Sequence, residues 1–173
     1  MYSITSCAVP EAKLLNAYLR DGTYVDCYAT DIAKPVSQAQ YVEAFYTTVV
    51  FKIERLLLKW AVSRPSTYAQ AKRLAAGTIN SFATWHVESR SENQLLLADF
   101  SRRTRSWLMV APLPRNRGAT TRLYFGSAIV PVTDSKTGRA GLGFRFRALL
   151  GFHKLYSKVL LYAARLRLEA VDR

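Results

Sequence analysis

The chain has two histidines, His86 and His153, the side-chain type whose ordinary pKa allows proton exchange near neutral pH. His153 stands in Phe152-His153-Lys154-Leu155-Tyr156, on the flank of an apolar helical face. It is the one catalytic candidate, a general acid or base, against the plainer reading of a half-buried histidine bonded to a backbone carbonyl. His86 lies in Thr84-Trp85-His86-Val87-Glu88. Strand alternation groups Ala83, Trp85 and Val87 on one face as core, and turns His86 and Glu88 to solvent. Arg105, Trp107 and Met109 share a face of a later strand. An arginine beside an aromatic wall can orient an anionic head group. A surface tryptophan folded over an arginine stem gives the same pattern. Leu108 and Val110 on the other face suit a core equally well, so the direction is left open. Asp99 is placed to pair with Arg102, Arg103 or Arg105 at a hairpin end. Phe82, Trp85, Tyr124 and Phe125 read as core aromatics, of which a ligand wall would be a subset.

Several chemistries lose their support. The sequence has no Gly-x-Ser-x-Gly elbow, no phosphate-loop Gly-Lys-Ser/Thr and no Gly-x-Gly-x-x-Gly after a strand. Beyond residue 100 the only carboxylates are Asp134, Glu169 and Asp172. Cys7 and Cys27 form no metal or redox motif, a disulfide between them is left open, and two histidines do not make a zinc site. No cofactor and no metal are expected.

The 173 residues suffice for one domain that buries its own core without a metal or a disulfide. The formal net charge is +13. Residues 101–173 hold fifteen basic and three acidic side chains, against ten and nine before them. Such a bias suits an anionic partner (nucleic acid, acidic lipid or a charged ligand), or serves solubility alone. The longest apolar stretch, Tyr41 to Trp60, carries five charged residues and does not read as a transmembrane helix. The first residues do not read as a secretory signal, so a cytoplasmic protein is expected.

The elements that must position these side chains follow from period and punctuation. Pro10 to Arg20 reads as a short helix and Thr23 to Asp31 as a first strand. Ser37, with Gln40 completing a capping box, opens a helix expected to run to Val62. Its stripe is Val42, Phe45, Val49, Ile53, Leu56 and Trp60, with Lys52, Arg55 and Lys59 on another side. Ser66 to Ala76 is a second helix ended by Gly77. Asn80 to Glu88, Asn93 to Phe100, Thr104 to Pro112 and Ala119 to Val132 form an antiparallel meander with short turns. A loop over 133–141 leads to a long final helix. There Leu149, Phe152, Tyr156, Val159, Leu160 and Ala163 are expected to face inward. Lys154, Lys158 and Arg165 fall within roughly 20° of Arg147 as an anion-binding ridge. The class is α+β, with a last helix long enough to cross one face of the antiparallel sheet.

That order, with Tyr24-Val25-Asp26-Cys27-Tyr28 as first strand and Gly143-Phe144-Arg145-Phe146 leading to Phe152-His153-Lys154 and Val159-Leu160-Leu161, resembles the START-like superfamily of polyketide cyclases and lipid-transfer domains. Within it, the chain is most similar to a bacterial subfamily of unknown function. Members of that subfamily carry a His-Leu-Asp-Phe-Arg-like run where this chain has Arg103-Thr104-Arg105-Ser106-Trp107. The resemblance implies one helix-grip domain over 1–173, with 10–20 as an appendage. It also implies a cavity between sheet and last helix for a hydrophobic molecule, with or without an acidic head. Trp85, Arg105, Trp107, Phe125, Phe152, His153 and Tyr156 are the expected ligand contacts. The first alternative is nucleic-acid or anionic-membrane binding through Arg102, Arg103, Arg105, Arg115, Arg117, Arg122 and the helix ridge. The second is a cyclase- or hydrolase-like enzyme using His153 or an arginine in the cavity.

Overall fold

Strand-forming segments with alternating apolar residues build one antiparallel sheet that is buried on both faces. The structure, a computed structural model, describes residues 3–20, 22–48, 67–114, 118, 120–133, 140–141 and 144–170, with backbone alone at 132–133, 140 and 144–149. The strands are β1 (Thr5–Ser6), β2 (Tyr24–Ile32), β3 (Ser81–Phe82), β4 (Trp85–Ser91), β5 (Gln94–Asp99), β6 (Thr104–Pro112) and β7 (Thr121–Ile129). Their spatial order is β1-β2-β7-β6-β5-β4-β3. The meander supplies β4 to β7 by short hairpins, and β2 closes against β7 with Asp26 directly opposite Ser127. A separate pair joins β8 (Val132–Thr133) to β9 (Ala140–Gly141).

The helices are α1 (Gln38–Tyr46), α2 (Tyr68–Ala75) and α3 (Phe144–Ala170). The Ser37–Gln40 capping box starts α1 as expected, while Thr67 with Gln70 caps α2 one residue after the anticipated Ser66. Gly77, at φ +76°, takes the left-handed turn that ends α2. The helix expected to reach Val62 stops at Tyr46. The Thr47 hydroxyl bonds back to the Glu43 carbonyl at 2.6 Å and that of Thr48 to Phe45 at 3.1 Å. The expected stripe from Val49 to Trp60, and Lys52, Arg55 and Lys59, lie outside the described residues. In place of a helix over 10–20 there is a 3-10 turn over Leu14–Tyr18, preceded by Ala12 at φ 54°.

The architecture is α+β and of helix-grip type, a curved antiparallel sheet with the long C-terminal helix on one face. That face does not belong to α3 alone. α3 lies chiefly on β2 and β7, α1 packs beside it, and α1 also reaches β6. The core between them holds Tyr41, Phe45, Tyr46, Leu97, Leu108, Phe125, Leu161 and Ala164. The opposite face carries a second core of Leu15, Tyr18, Cys27, Leu96, Trp107, Met109 and Ala128, roofed by the 3-10 turn. Gly126 permits this roof: a Cβ there would lie 2.6 Å from Leu15 Cδ2 and 3.0 Å from both Asp26 O and Trp107 Cε3. Lys34 Nζ donates to the Leu168 carbonyl at 2.6 Å, placing a cation on the C-terminal end of α3.

Candidate functional site

Beneath the middle of α3 lies a cavity of about 130 Å³. α1 contributes Phe45 and Tyr46, the sheet contributes Trp85, Thr104, Ser106, Phe125 and Ser127, and α3 contributes His153, Tyr156, Ser157 and Leu160. Phe45, Tyr46, Trp85, Phe125 and Tyr156 bring aromatic rings to the wall. Polar side chains share it: Thr104, Arg105 and Ser106 from β6, Ser127 from β7, and His153 and Ser157 from α3. An engineered apolar cavity of about 150 Å³ in another protein takes benzene, so this space is of the size of about one ring.

The polar side is built by register. Even-numbered residues of β2 face α3, and Asp26 is the carboxylate among them, 8% exposed at its side chain. The Ser127 hydroxyl donates to Asp26 Oδ1 at 2.6 Å and the Ser127 amide to the same oxygen at 3.1 Å. Tyr24 OH donates to Oδ2 at 3.1 Å, and His153 Nε2 lies 3.3 Å from Oδ2 and 2.8 Å from Ser127 Oγ. The Tyr24 ring meets His153 edge-on at 5.9 Å. Burial pushes the Asp26 carboxyl up, but the bonds from His153 and Ser127, the His153 charge and the Tyr24 bond outweigh it and hold it below its ordinary value. Tyr28, facing the same carboxylate, is pushed up to about 12 by burial and by the Asp26 charge and hydrogen bond.

This cluster holds the three residue types of a hydrolytic triad in a different geometry. In a triad the carboxylate orients Nδ1 while Nε2 takes the serine proton. Here carboxylate and serine both face Nε2, and the serine proton is committed to Asp26. The Ser127 oxygen therefore accepts from His153 Nε2–H, an arrangement that does not activate the serine as a nucleophile.

The expected site residues divide. Trp85, Phe125, His153 and Tyr156 come together around the cavity. Arg105 borders it, but its guanidinium turns to the other face, bonding Glu88 Oε2 at 2.7 Å and Tyr18 OH at 2.8 Å and stacking 4.8 Å over the Tyr18 ring. Trp107, 0% exposed, belongs to the second core and donates Nε1–H to Gln94 Oε1 at 3.1 Å. The open direction of this strand is decided by Leu108 and Val110, which take the α3 side. Phe152 is 66% exposed and stacks on Tyr156 with rings 9° from parallel.

α3 is also rotated by about one residue, ~100°, from the expected setting. Its buried stripe is Ser157, Leu160, Leu161, Ala164, Arg165 and Leu168, while Phe152, Leu155, Val159, Tyr162 and Leu166 are exposed. The helix carries two apolar stripes, and polar partners on β2 make the stripe with the polar members the buried one. Arg165 is thus no part of a surface ridge. It is 3% exposed, 3.3 Å from Thr30 Oγ1 and 3.5 Å from Glu169 Oε1. Lys154 and Lys158 are exposed, Lys158 lying 5.6 Å from the Tyr28 ring centroid. The side chains of Arg147 and Leu149, and all of Arg115 and Arg117, lie outside the described residues. Arg122 forms a two-point pair with Asp31. Asp99 caps its hairpin through the Arg103 and Thr104 amides, so the anticipated arginine pair is not what holds that turn. His86 is exposed, as alternation implied.

Asp26, Ser127, Ser106, Ser157, Phe45 and Tyr46 were missed as site residues. A carboxylate alternating with Tyr24 and Tyr28 was a readable signal for Asp26. Ser127 had none, because its role depends on the β2–β7 register. Among the described residues no group of His, Cys, Asp and Glu is arranged to hold a metal ion, and no helix is long and apolar enough to cross a membrane. No protein-family model, no curated protein and no solved structure matches this chain.

Proposed function

We propose that the protein is a START-like binding module that takes a compact aromatic molecule, with one hydrogen-bonding head, into the cavity under α3. One observation carries the reading: a space of single-ring size walled by Phe45, Tyr46, Trp85, Phe125 and Tyr156, with the hydrogen-bonded Ser127 and His153 among its polar lining. A second supports it. The buried Trp85 indole N–H has no hydrogen-bond partner among the described residues, and an acceptor on a ligand would relieve that cost. The size narrows the hydrophobic ligand anticipated from the sequence to a ring in place of a lipid chain. The test is calorimetric titration with benzene, phenol, benzoate and laurate. Phenol or benzoate is expected to bind more tightly than benzene, with no heat from laurate. Binding of none of the ring compounds at millimolar concentration, or of laurate alone, overturns the reading.

A second reading has its own observation. Phe152 and Leu155, 66% and 62% exposed, lie beside Lys154 and Lys158 on α3. An exposed ring and an exposed leucine flanked by lysines suit the boundary of an anionic bilayer, where apolar side chains insert and lysines meet the head groups. The expected outcome is co-sedimentation with phosphatidylserine vesicles that Phe152→Asp reduces at least tenfold. Equal retention of that variant, or a preference for RNA over vesicles, rejects this reading.

A further inference from the structure

The two cysteines, distant in sequence, meet at the edge of the sheet. β1 pairs with β2 in the register Thr5 to Ala29 and Ser6 to Tyr28, and the chain continues so that the Cys7 amide donates to the Cys27 carbonyl at 3.0 Å. Their Sγ atoms lie 3.4 Å apart and both thiols are free. The two differ in access. Both line an open groove of about 560 Å³ shared with Lys154 and Lys158, in which Cys7 is only half-buried. Cys27 is 2% exposed and belongs to the second core.

We propose that Cys7 and Cys27 form a reversible, peroxide-responsive dithiol, with Cys7 as the reacting and Cys27 as the resolving thiol. The Cys7 thiolate attacks one peroxide oxygen. The O–O bond breaks, Cys7 becomes a sulfenic acid, and the departing hydroxide takes the proton lost from Cys7 to leave as water. Cys27 Sγ then displaces hydroxide from Cys7 Sγ. The S–S bond forms, the Cys27 proton joins the hydroxide, and a second water leaves. Two thiols lose two electrons and two protons, and one peroxide becomes two waters.

The local electrostatics favour this order. The Cys27 thiol hydrogen-bonds a thiolate at Cys7 and, with the Arg122 charge, lowers the Cys7 pKa against the opposing effect of burial. The same contact and its own burial raise Cys27, which keeps its proton until the resolving step. The bond would fasten the segment that roofs the second core to β2 through a loop closed over residues 7–27.

The experiment treats the reduced protein with one equivalent of hydrogen peroxide. The expected product is a monomer whose intact mass is lower by two hydrogens. Its digest contains a Cys7–Cys27 cross-linked peptide, and its Tm is higher by about 5–10 °C until dithiothreitol reverses it. Under the same treatment Cys27→Ser is expected to yield a Cys7 sulfenic acid trapped by dimedone. A wild-type product that is an intermolecular dimer, or that carries oxygen on Cys7 with no cross-link, overturns the proposal. So does limited alkylation of the reduced wild-type protein that labels Cys27 before Cys7, a readout independent of whether either variant folds.

Discussion

Asp26→Ala is expected to lower stability by about 3 kcal/mol at pH 7, measured by urea unfolding. The carboxylate accepts from the Ser127 hydroxyl and amide, from Tyr24 and from His153, and it is almost wholly buried. A hydrogen bond to a charged group is worth about 1.5–3 kcal/mol, and each donor left buried without an acceptor adds its own cost. Partial exposure of His153, which water can then reach, keeps the total below the sum of these bonds. The loss should concentrate in the first half of α3, read as faster amide exchange there. The pH dependence has a definite sign. The folded-state pKa of Asp26 lies below its unfolded value of about 3.9, so the carboxylate's stabilisation is fully present above that value. It is lost as pH falls through the folded-state pKa. Asp26→Asn should therefore flatten the stability profile on the acid side, below about pH 4.

Trp107→Ala is expected to cost about 4 kcal/mol, within the range for deleting a fully buried aromatic side chain. The indole fills the space between Leu15, Tyr18 and Met109 and bonds Gln94, whose Oε1 also accepts from the Leu14 amide at 3.0 Å. Its loss opens a cavity and loosens the segment that covers this face of the sheet. The variant also separates two placements of Trp107. A ligand-wall tryptophan would take ring binding with it when removed. A second-core tryptophan leaves the affinity for phenol within about twofold of wild type once stability is restored by working well below the lowered Tm, and that is the expected result.

Much of this architecture is legible in the residues. Short polar turns between alternating runs can only return an antiparallel neighbour, so the meander from Trp85 to Ile129 follows from local signals. The Ser37–Gln40 box and Gly77 mark helix ends by chemistry that acts within four residues. The facing of α3 was not legible, because Phe152, Val159 and Tyr162 make as good an apolar stripe as Leu160, Leu161 and Ala164. The choice between them depends on partners for polar side chains: Asp26 and Ser127 for His153, and Thr30 for Arg165. The same holds for Arg105 and Trp107. Alternation placed them on one face, but which face met α3 depended on the segment around Leu15 and Tyr18 that roofs the other. The candidate site suffers most from this. Trp85, Phe125 and Tyr156 announce themselves by type, whereas Phe45 and Tyr46 join the site only through the packing of α1, and Asp26 and Ser127 only when β2 pairs with β7.

A titration with phenol, followed by proton–nitrogen correlation spectra of the Trp85 indole N–H and the Ser127 amide, tests whether the space under α3 takes a ring. Both signals should move together and saturate at millimolar phenol, and neither should move in Ser157→Leu, which fills the cavity from α3 while leaving Trp85 in place. Signals that stay fixed in the wild-type protein, or that shift just as far in a folded Ser157→Leu, would mean that the ring binds elsewhere or not at all.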